Sequence, residues 1–267
     1  MTYSLQGKNV LVTGGSSGIG AALAEGFARA GATVGICARR AERLDEVLER
    51  VRAHAPNSQR WTVDLADLDG IESFARQVEN DLGGVDVLVN NAGIPKRRRV
   101  PDLTPDVVES VMRINYFSPI RLTLALLPAI EKRGGRVVNI SSVAARLGPP
   151  AEAAYAASKA AVTAWSESMQ VDLGIAGSDV KVHVVNPGVF DTELFHLPDN
   201  DDFTASVEML PVESIVAPIL AMIESGTFEL YVPEWFGEIA AGKAKDTGTF
   251  LEGSIAWVRQ QNAEAAG

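Results

Sequence analysis

The chain holds one cysteine, Cys37, and three histidines, His54, His183 and His196. A single thiol excludes an internal disulfide and a thiolate metal cluster. The histidines fall at no metal-ligand spacing, so no structural or catalytic metal is expected. Cys37 stands in a β-branched, apolar run that reads as a buried strand. Positive charge is in deficit: 24 Lys and Arg against 34 Asp and Glu give a formal net charge of -10. That field repels phosphates and disfavours nucleic acid or anionic lipid as a partner, so an anionic ligand needs a local positive site. Long hydrophobic runs are missing too. The longest, around Leu122 to Ile130, is too short to span a bilayer, and Met1 to Lys8 lacks the basic-then-apolar order of a secretory signal. The expectation is a cytoplasmic protein that neither crosses nor coats a membrane.

What remains is an ordinary globular composition, with 46% hydrophobic and 22% charged residues in 267. No repeat, linker or low-complexity tract divides it, so residues 1–267 read as one α/β domain with a large core. Asn9 to Thr13, Thr33 to Ala38, Arg60 to Val63, Val85 to Val89, Arg136 to Ser141, Val180 to Asn186 and Glu229 to Val232 read as strands. Between them, Ile19 to Arg29, Ala41 to His54, Leu68 to Leu82, Pro105 to Arg113 and Ala153 to Leu173 carry apolar residues at helical spacing. Strand and helix alternating in this way predict a doubly wound parallel sheet of about seven strands, with helices on both faces. Ligands in such sheets sit beyond the carboxyl ends of the strands. Phe190 to Pro211, with an acidic run at Asp199 to Asp202, reads as a loop or lid with short helices.

The first strand leads into Thr13-Gly14-Gly15-Ser16-Ser17-Gly18-Ile19-Gly20 and then into a helix. Glycines let the backbone turn tightly against a pyrophosphate, and the helix N-terminus offers unpaired N–H groups and partial positive charge. A dinucleotide is the natural ligand, although the spacing G-x-x-x-G-x-G departs from the generic fingerprint.

This loop, with Asn90-Asn91-Ala92-Gly93 after the fourth strand, resembles the short-chain dehydrogenase/reductase family. Asn115, Ser142 after the fifth strand, Tyr155-Ala156-Ala157-Ser158-Lys159 and Pro187-Gly188 with Thr192 extend the resemblance in the family's order. It implies a Rossmann-like fold and hydride exchange between a nicotinamide and a carbonyl or alcohol. It also implies cofactor contacts from Gly14, Ser16, Ser17, Gly18 and Ile19, from Arg39 and Arg40, and from Asp64 and Leu65. Asn91, Ala92, Gly93, Tyr155, Lys159, Pro187, Gly188, Val189 and Thr192 complete that set. Lys159 is expected to bind the nicotinamide ribose and Asn115 to hold a water linking the lysine to solvent.

The chemistry can be argued from the residues themselves. Tyr155 and Lys159, four apart on a helix, share one face. A phenol that ionises near pH ~10 becomes a useful acid/base only if something stabilises its anion, and an ammonium one turn away does so. Ser142 can hydrogen-bond the substrate oxygen as charge develops there. At the end of the second strand, Ala38 stands where NAD-preferring relatives carry Asp, and Arg39 follows. A guanidinium without a neighbouring carboxylate favours the 2′-phosphate of NADP, with Arg40 a second candidate contact. The alternative is a non-catalytic NADP-binding sensor or scaffold. An isomerase or dehydratase using transient cofactor oxidation would carry the same motifs. The aromatics Trp235, Phe236, Phe250 and Trp257 fit an apolar substrate pocket or core packing equally well. The basic run Lys96 to Arg99 reads as a solvated loop, or as an attractor of an anionic substrate at the cleft mouth. A homodimer or homotetramer is expected by resemblance, through Pro105 to Lys132 and Glu152 to Leu173.

Overall fold

In the computed structural model, which describes residues 2–197, 199–201 and 209–266, seven parallel strands form one sheet in the order β3-β2-β1-β4-β5-β6-β7. They are β1 (Asn9–Thr13), β2 (Thr33–Ala38), β3 (Gln59–Thr62), β4 (Val87–Asn90), β5 (Arg136–Ile140), β6 (Lys181–Pro187) and β7 (Glu229–Val232). The order reverses between β1 and β4, so the crossovers on either side leave a crevice at their carboxyl ends.

Period-two alternation along the strands decides which helix meets which face. Val10, Val12, Val34, Ile36, Val87 and Val89 point to one side. There they pack on α1 (Gly18–Arg29), α2 (Ala41–Arg52) and α8 (Val216–Ser225). Leu11, Cys37, Leu88, Val137 and Val182 point to the other. They meet α3 (Ile71–Leu82), α5 (Ser118–Lys132) and α7 (Ala153–Ile175), the last preceded by the single-turn α6 (Ala144–Leu147). Both faces are covered, which is why the strands read as nearly continuous apolar runs. Each fully buried Leu, Ile or Phe contributes about 1.5–3 kcal/mol through removal from water. Burial also pushes the Cys37 thiol up to about 12, so it is an inert core group.

Three departures from the sequence reading have local causes. β4 runs on through Asn90, a polar residue the strand pattern left out. Its amide nitrogen donates to Thr123 Oγ1 at 2.9 Å and Asn139 Oδ1 at 2.8 Å, which satisfies the buried donor, while its Oδ1 has no partner among the described residues. The helix expected at Pro105 to Arg113 is α4 (Pro105–Met112), followed by one π turn over Arg113–Phe117. The C-terminal segment, to which no helix was assigned, forms α9 (Trp235–Lys245) and α10 (Thr247–Ala266). No helix among the described residues is long and apolar enough to cross a membrane.

Candidate active site

The carboxyl ends of β1, β2, β4, β5 and β6 open onto a cavity of about 1260 Å³. Gly14, Ser16, Ser17, Gly18, Ile19, Arg39, Arg40, Asp64, Leu65, Asn91, Ala92, Gly93, Pro187, Gly188, Val189 and Thr192 all line it, with Ser142, Tyr155 and Lys159. At one end the loop between β1 and α1 is pressed against the segment after β4. Gly14 has φ +68, and a Cβ there would lie 2.9 Å from Ala92 Cα, so the turn tolerates only glycine. Asn91 fixes the contact: its amide donates to the Thr13 carbonyl at 2.9 Å, and its backbone N–H donates to Thr13 Oγ1 at 3.0 Å. The result is a cradle with a helix N-terminus behind it. Its donor set fits a dinucleotide's pyrophosphate.

The β2 end presents two arginines, both exposed. Arg40 is engaged: Nη1 meets Glu193 Oε2 at 2.8 Å, and Nη2 donates to Ser17 Oγ at 3.1 Å. This pairing holds the Glu193 carboxyl below its usual range. Glu193 lies in the short helix Glu193–His196 of the loop after β6, so that loop crosses to the phosphate end. Arg39 makes no ion pair among the described residues.

At the middle of the cavity, Tyr155 and Lys159 project from the first turns of α7, and Ser142 follows β5. Lys159 Nζ lies 5.7 Å from the Tyr155 ring centroid and donates to the Ile140 carbonyl at 2.8 Å. Burial lowers its ammonium to about 8. The expectation that Lys159 would lower the tyrosine is not met by the chain alone. Burial raises the Tyr155 phenol above its ordinary value, the charge of Glu152 adds to this, and a hydrogen bond with Ser142 opposes it. The phenol is thus held protonated. Ser142 also accepts the Ala144 N–H at 3.1 Å, so its hydroxyl is oriented at the strand end.

Asn115 does not line the cavity. The π turn carries it inward, where Oδ1 accepts the Ile94 N–H at 2.8 Å. Nδ2 donates to the Ile94 carbonyl and to Ser158 Oγ, both at 3.0 Å. Its visible work is to tie the segment after β4 to α7, one layer behind Tyr155.

The other end of the cavity corrects one reading of the sequence. Lys96 to Arg99 is not a solvated loop. Arg97 is 4% exposed, Lys96 and Arg98 pair with Asp199, Arg98 also with Asp201, and Arg99 with Asp102. Arg97 N–H donates to Asn200 Oδ1 at 2.7 Å, so the basic run clasps the acidic loop, whose Asp202 lies outside the described residues. The charges that were to attract an anion are paired within the chain, with Arg97 buried and Arg99 still exposed. Glu152 and Glu193 were both missed; Glu152 stands among prolines and alanines, Glu193 in a mixed segment with Asp191, and only the fold brings them to the cleft. Trp235, Phe236, Phe250 and Trp257 all line the cavity. The ring of Phe236 stacks on Trp235 at 3.9 Å and takes the space a Cβ on Gly188 would need.

A model of the short chain dehydrogenase family matches residues 8–201. The chain belongs to that family. It is 42% identical over 192 residues to the dehydrogenase/reductase SDR family member 7B of Bos taurus, covering 69% of this chain and 58% of that protein. It spans 51% to 65% of the length of curated relatives it matches. A short chain dehydrogenase from Burkholderia cenocepacia J2315 in complex with NADP superposes with a TM-score of 0.78 at 28% identity, covering 92% and 97% of the two chains. One from Burkholderia phymatum in complex with NAD shares the fold, with a TM-score of 0.82 at 20% identity over 92% and 95%.

Proposed function

We propose that the chain, read as one cofactor-binding unit over residues 1–267, is an NADP(H)-dependent oxidoreductase acting on a small carbonyl compound or secondary alcohol. Tyr155 is its proton carrier. The observation that carries this is the meeting of Ser142, Tyr155 and Lys159 on the wall of a cavity whose far end is the Gly14–Ile19 cradle. A bound nicotinamide supplies or accepts the hydride.

The chain's own residues do the rest. The cradle and α1 hold the pyrophosphate, and Thr192 and Lys159 fix the nicotinamide half. Ser142 hydrogen-bonds the substrate oxygen, and Tyr155 delivers the proton to it. A phenol held protonated by burial suits reduction of a carbonyl, in which it must give its proton up. Asn115 is a positioning residue in this scheme. The NADP preference rests on Arg39, next to Ala38 and without an ion pair among the described residues.

Replacing Tyr155 by Phe removes only the hydroxyl. The expected outcome is a fall in kcat of about 100-fold or more while NADPH binding, followed by its fluorescence, persists. A variant keeping more than about a tenth of the wild-type kcat overturns the assignment, since acid/base catalysis supplies far more.

We also place a homodimer or homotetramer on the helices flanking the sheet. Val108, Phe117, Leu124, Val171 and Ile175 are exposed on α4, the π turn, α5 and α7. An apolar surface of this kind is ordinarily covered. Light scattering at micromolar concentration should give a multiple of 28.4 kDa; the monomer mass contradicts the reading.

A further inference from the structure

Glu152 stands at the N-cap of α7, where an acidic side chain ordinarily accepts free N–H groups of the first turn. It makes no such bond. The residue is 8% exposed, and it lines the cavity. Among the described residues its carboxyl accepts no hydrogen bond from backbone or side chain. A buried carboxyl with an open side toward a cavity and no donor among the described residues is completed by a donor on the ligand.

Its neighbours narrow the kind of donor. Tyr155 is the third residue of α7, beside the Glu152 N-cap, and the charge of Glu152 acts on its phenol. A group on Glu152 is therefore only a few bonds from an oxygen on Tyr155. Arg97, itself buried, is the charge that faces Glu152. That positive charge balances the carboxylate, and burial brings the acid up to about 7, so the site suits a neutral donor better than a cation. Leu147, Pro149, Phe250 and Trp257 give the cavity apolar wall as well, so a ligand there meets both apolar surface and the Glu152 carboxyl. Ala151 and Lys96, the residues preceding Glu152 and Arg97, have φ of 60 and 45, which side chains disfavour. The Arg98 N–H donates to the Ala151 carbonyl at 2.8 Å and locks the two strained turns together.

We propose that Glu152 is the substrate-recognition residue of this cleft and that the substrate carries a second hydroxyl close to its reacting carbon, as in a hydroxy ketone or the matching diol. The proposal rests on the oxidoreductase reading.

The test compares 2-hydroxyacetophenone with acetophenone, using NADPH, in wild type, Glu152→Leu and Glu152→Gln. The ratio of kcat/KM, hydroxy over deoxy, should fall about ten- to a hundredfold in the Leu variant and less in the Gln variant, which keeps an acceptor. A parallel titration measures 1-phenyl-1,2-ethanediol against 1-phenylethanol on the NADP-loaded protein, and the diol preference should shrink in step. A ratio that stays put in both measurements overturns the proposal, as does an equal loss for both members of each pair. If neither ketone turns over but the diol preference is present in wild type and lost in Glu152→Leu, the oxidoreductase reading fails and the Glu152 assignment stands.

Discussion

The two ends of the cavity hold their charges differently, exposed at one and buried at the other. At the phosphate end, Arg39, Arg40 and Glu193 are exposed or half-exposed, at 45–50% for the paired Arg40 and Glu193 side chains. At the substrate end Glu152 is 8% and Arg97 4% exposed, and Lys159, between the two ends, is 4% exposed. Exposed charges are solvated whether or not a ligand is present. They cost the fold little, act over distance, and weaken with salt, whose screening length is about 10 Å at 0.1 M. Buried charges are desolvated when the chain folds, so they tax stability and act only on what touches them. One end is built to gather an anion from water, the other to sort molecules already inside.

The contrast breaks first on stability. Burial raises the Glu152 carboxyl from an ordinary 4.5 to about 7, with Arg97 partly opposing. The native state therefore holds the proton more tightly than the unfolded chain. No cost exists below pH 4.5; it grows as pH rises through the interval and is complete above about 7. Glu152→Gln cannot ionise, so it should be more stable than wild type by about 3 kcal/mol at pH 8 and by almost nothing near pH 4.5. Urea unfolding at the two pH values checks this. A Gln variant no more stable at pH 8 than at pH 4.5 would place Glu152 with the solvated charges and erase the difference between the two ends.

The same contrast explains what the sequence made legible. The phosphate end is built from short segments that each follow or close a strand: Gly14 after β1, Ala38 at the end of β2 and Asn91 after β4, places that periodicity locates. Tyr155 and Lys159 are legible because helical spacing alone puts them side by side. The substrate end is assembled from segments some fifty residues apart, and no local pattern says that Arg97 will face Glu152. The basic run Lys96 to Arg99 shows the cost of reading locally. Arg99 has a local partner in Asp102, but the partners of Lys96 and Arg98, Asp199 and Asp201, are about a hundred positions away and only the fold brings them in. Asn115 was legible as a member of the set but not in its place behind the wall, because a π turn leaves no mark that periodicity detects.

Next in size is the cofactor preference. Charge-assisted hydrogen bonds from Arg39 to a 2′-phosphate are worth roughly 1.5–3 kcal/mol, a ten- to hundredfold preference for NADPH over NADH in kcat/KM. Ala38→Asp/Arg39→Ala should move that preference toward NADH by a similar factor, and the wild-type preference should decline as salt rises. Equal use of the two cofactors by wild type, or a double variant whose preference stays put, removes Arg39 from the phosphate site. A preference indifferent to salt would mean that the arginine acts from a desolvated position, as charges do at the other end.

The smallest effect falls on the residue that joins the ends. Glu193 belongs to the loop after β6, yet its carboxylate meets Arg40 at 2.8 Å and Arg43 at 3.5 Å beside the phosphate cradle. It therefore offsets positive charge where the 2′-phosphate is expected. An exposed pair of this kind is worth about 0.2–1 kcal/mol, so Glu193→Gln should tighten NADPH binding by no more than about fivefold and leave NADH nearly untouched. Because Arg40 also donates to Ser17, it stays in place when Glu193 is neutralised, and the change should appear in affinity and not in folding. Titrating the two cofactors at low and high salt separates the cases. A gain for NADPH alone that vanishes at high salt fits a solvated charge that tempers phosphate binding. A loss for both cofactors would instead make the Glu193 contact a clasp that holds the loop over the dinucleotide, whichever cofactor is bound.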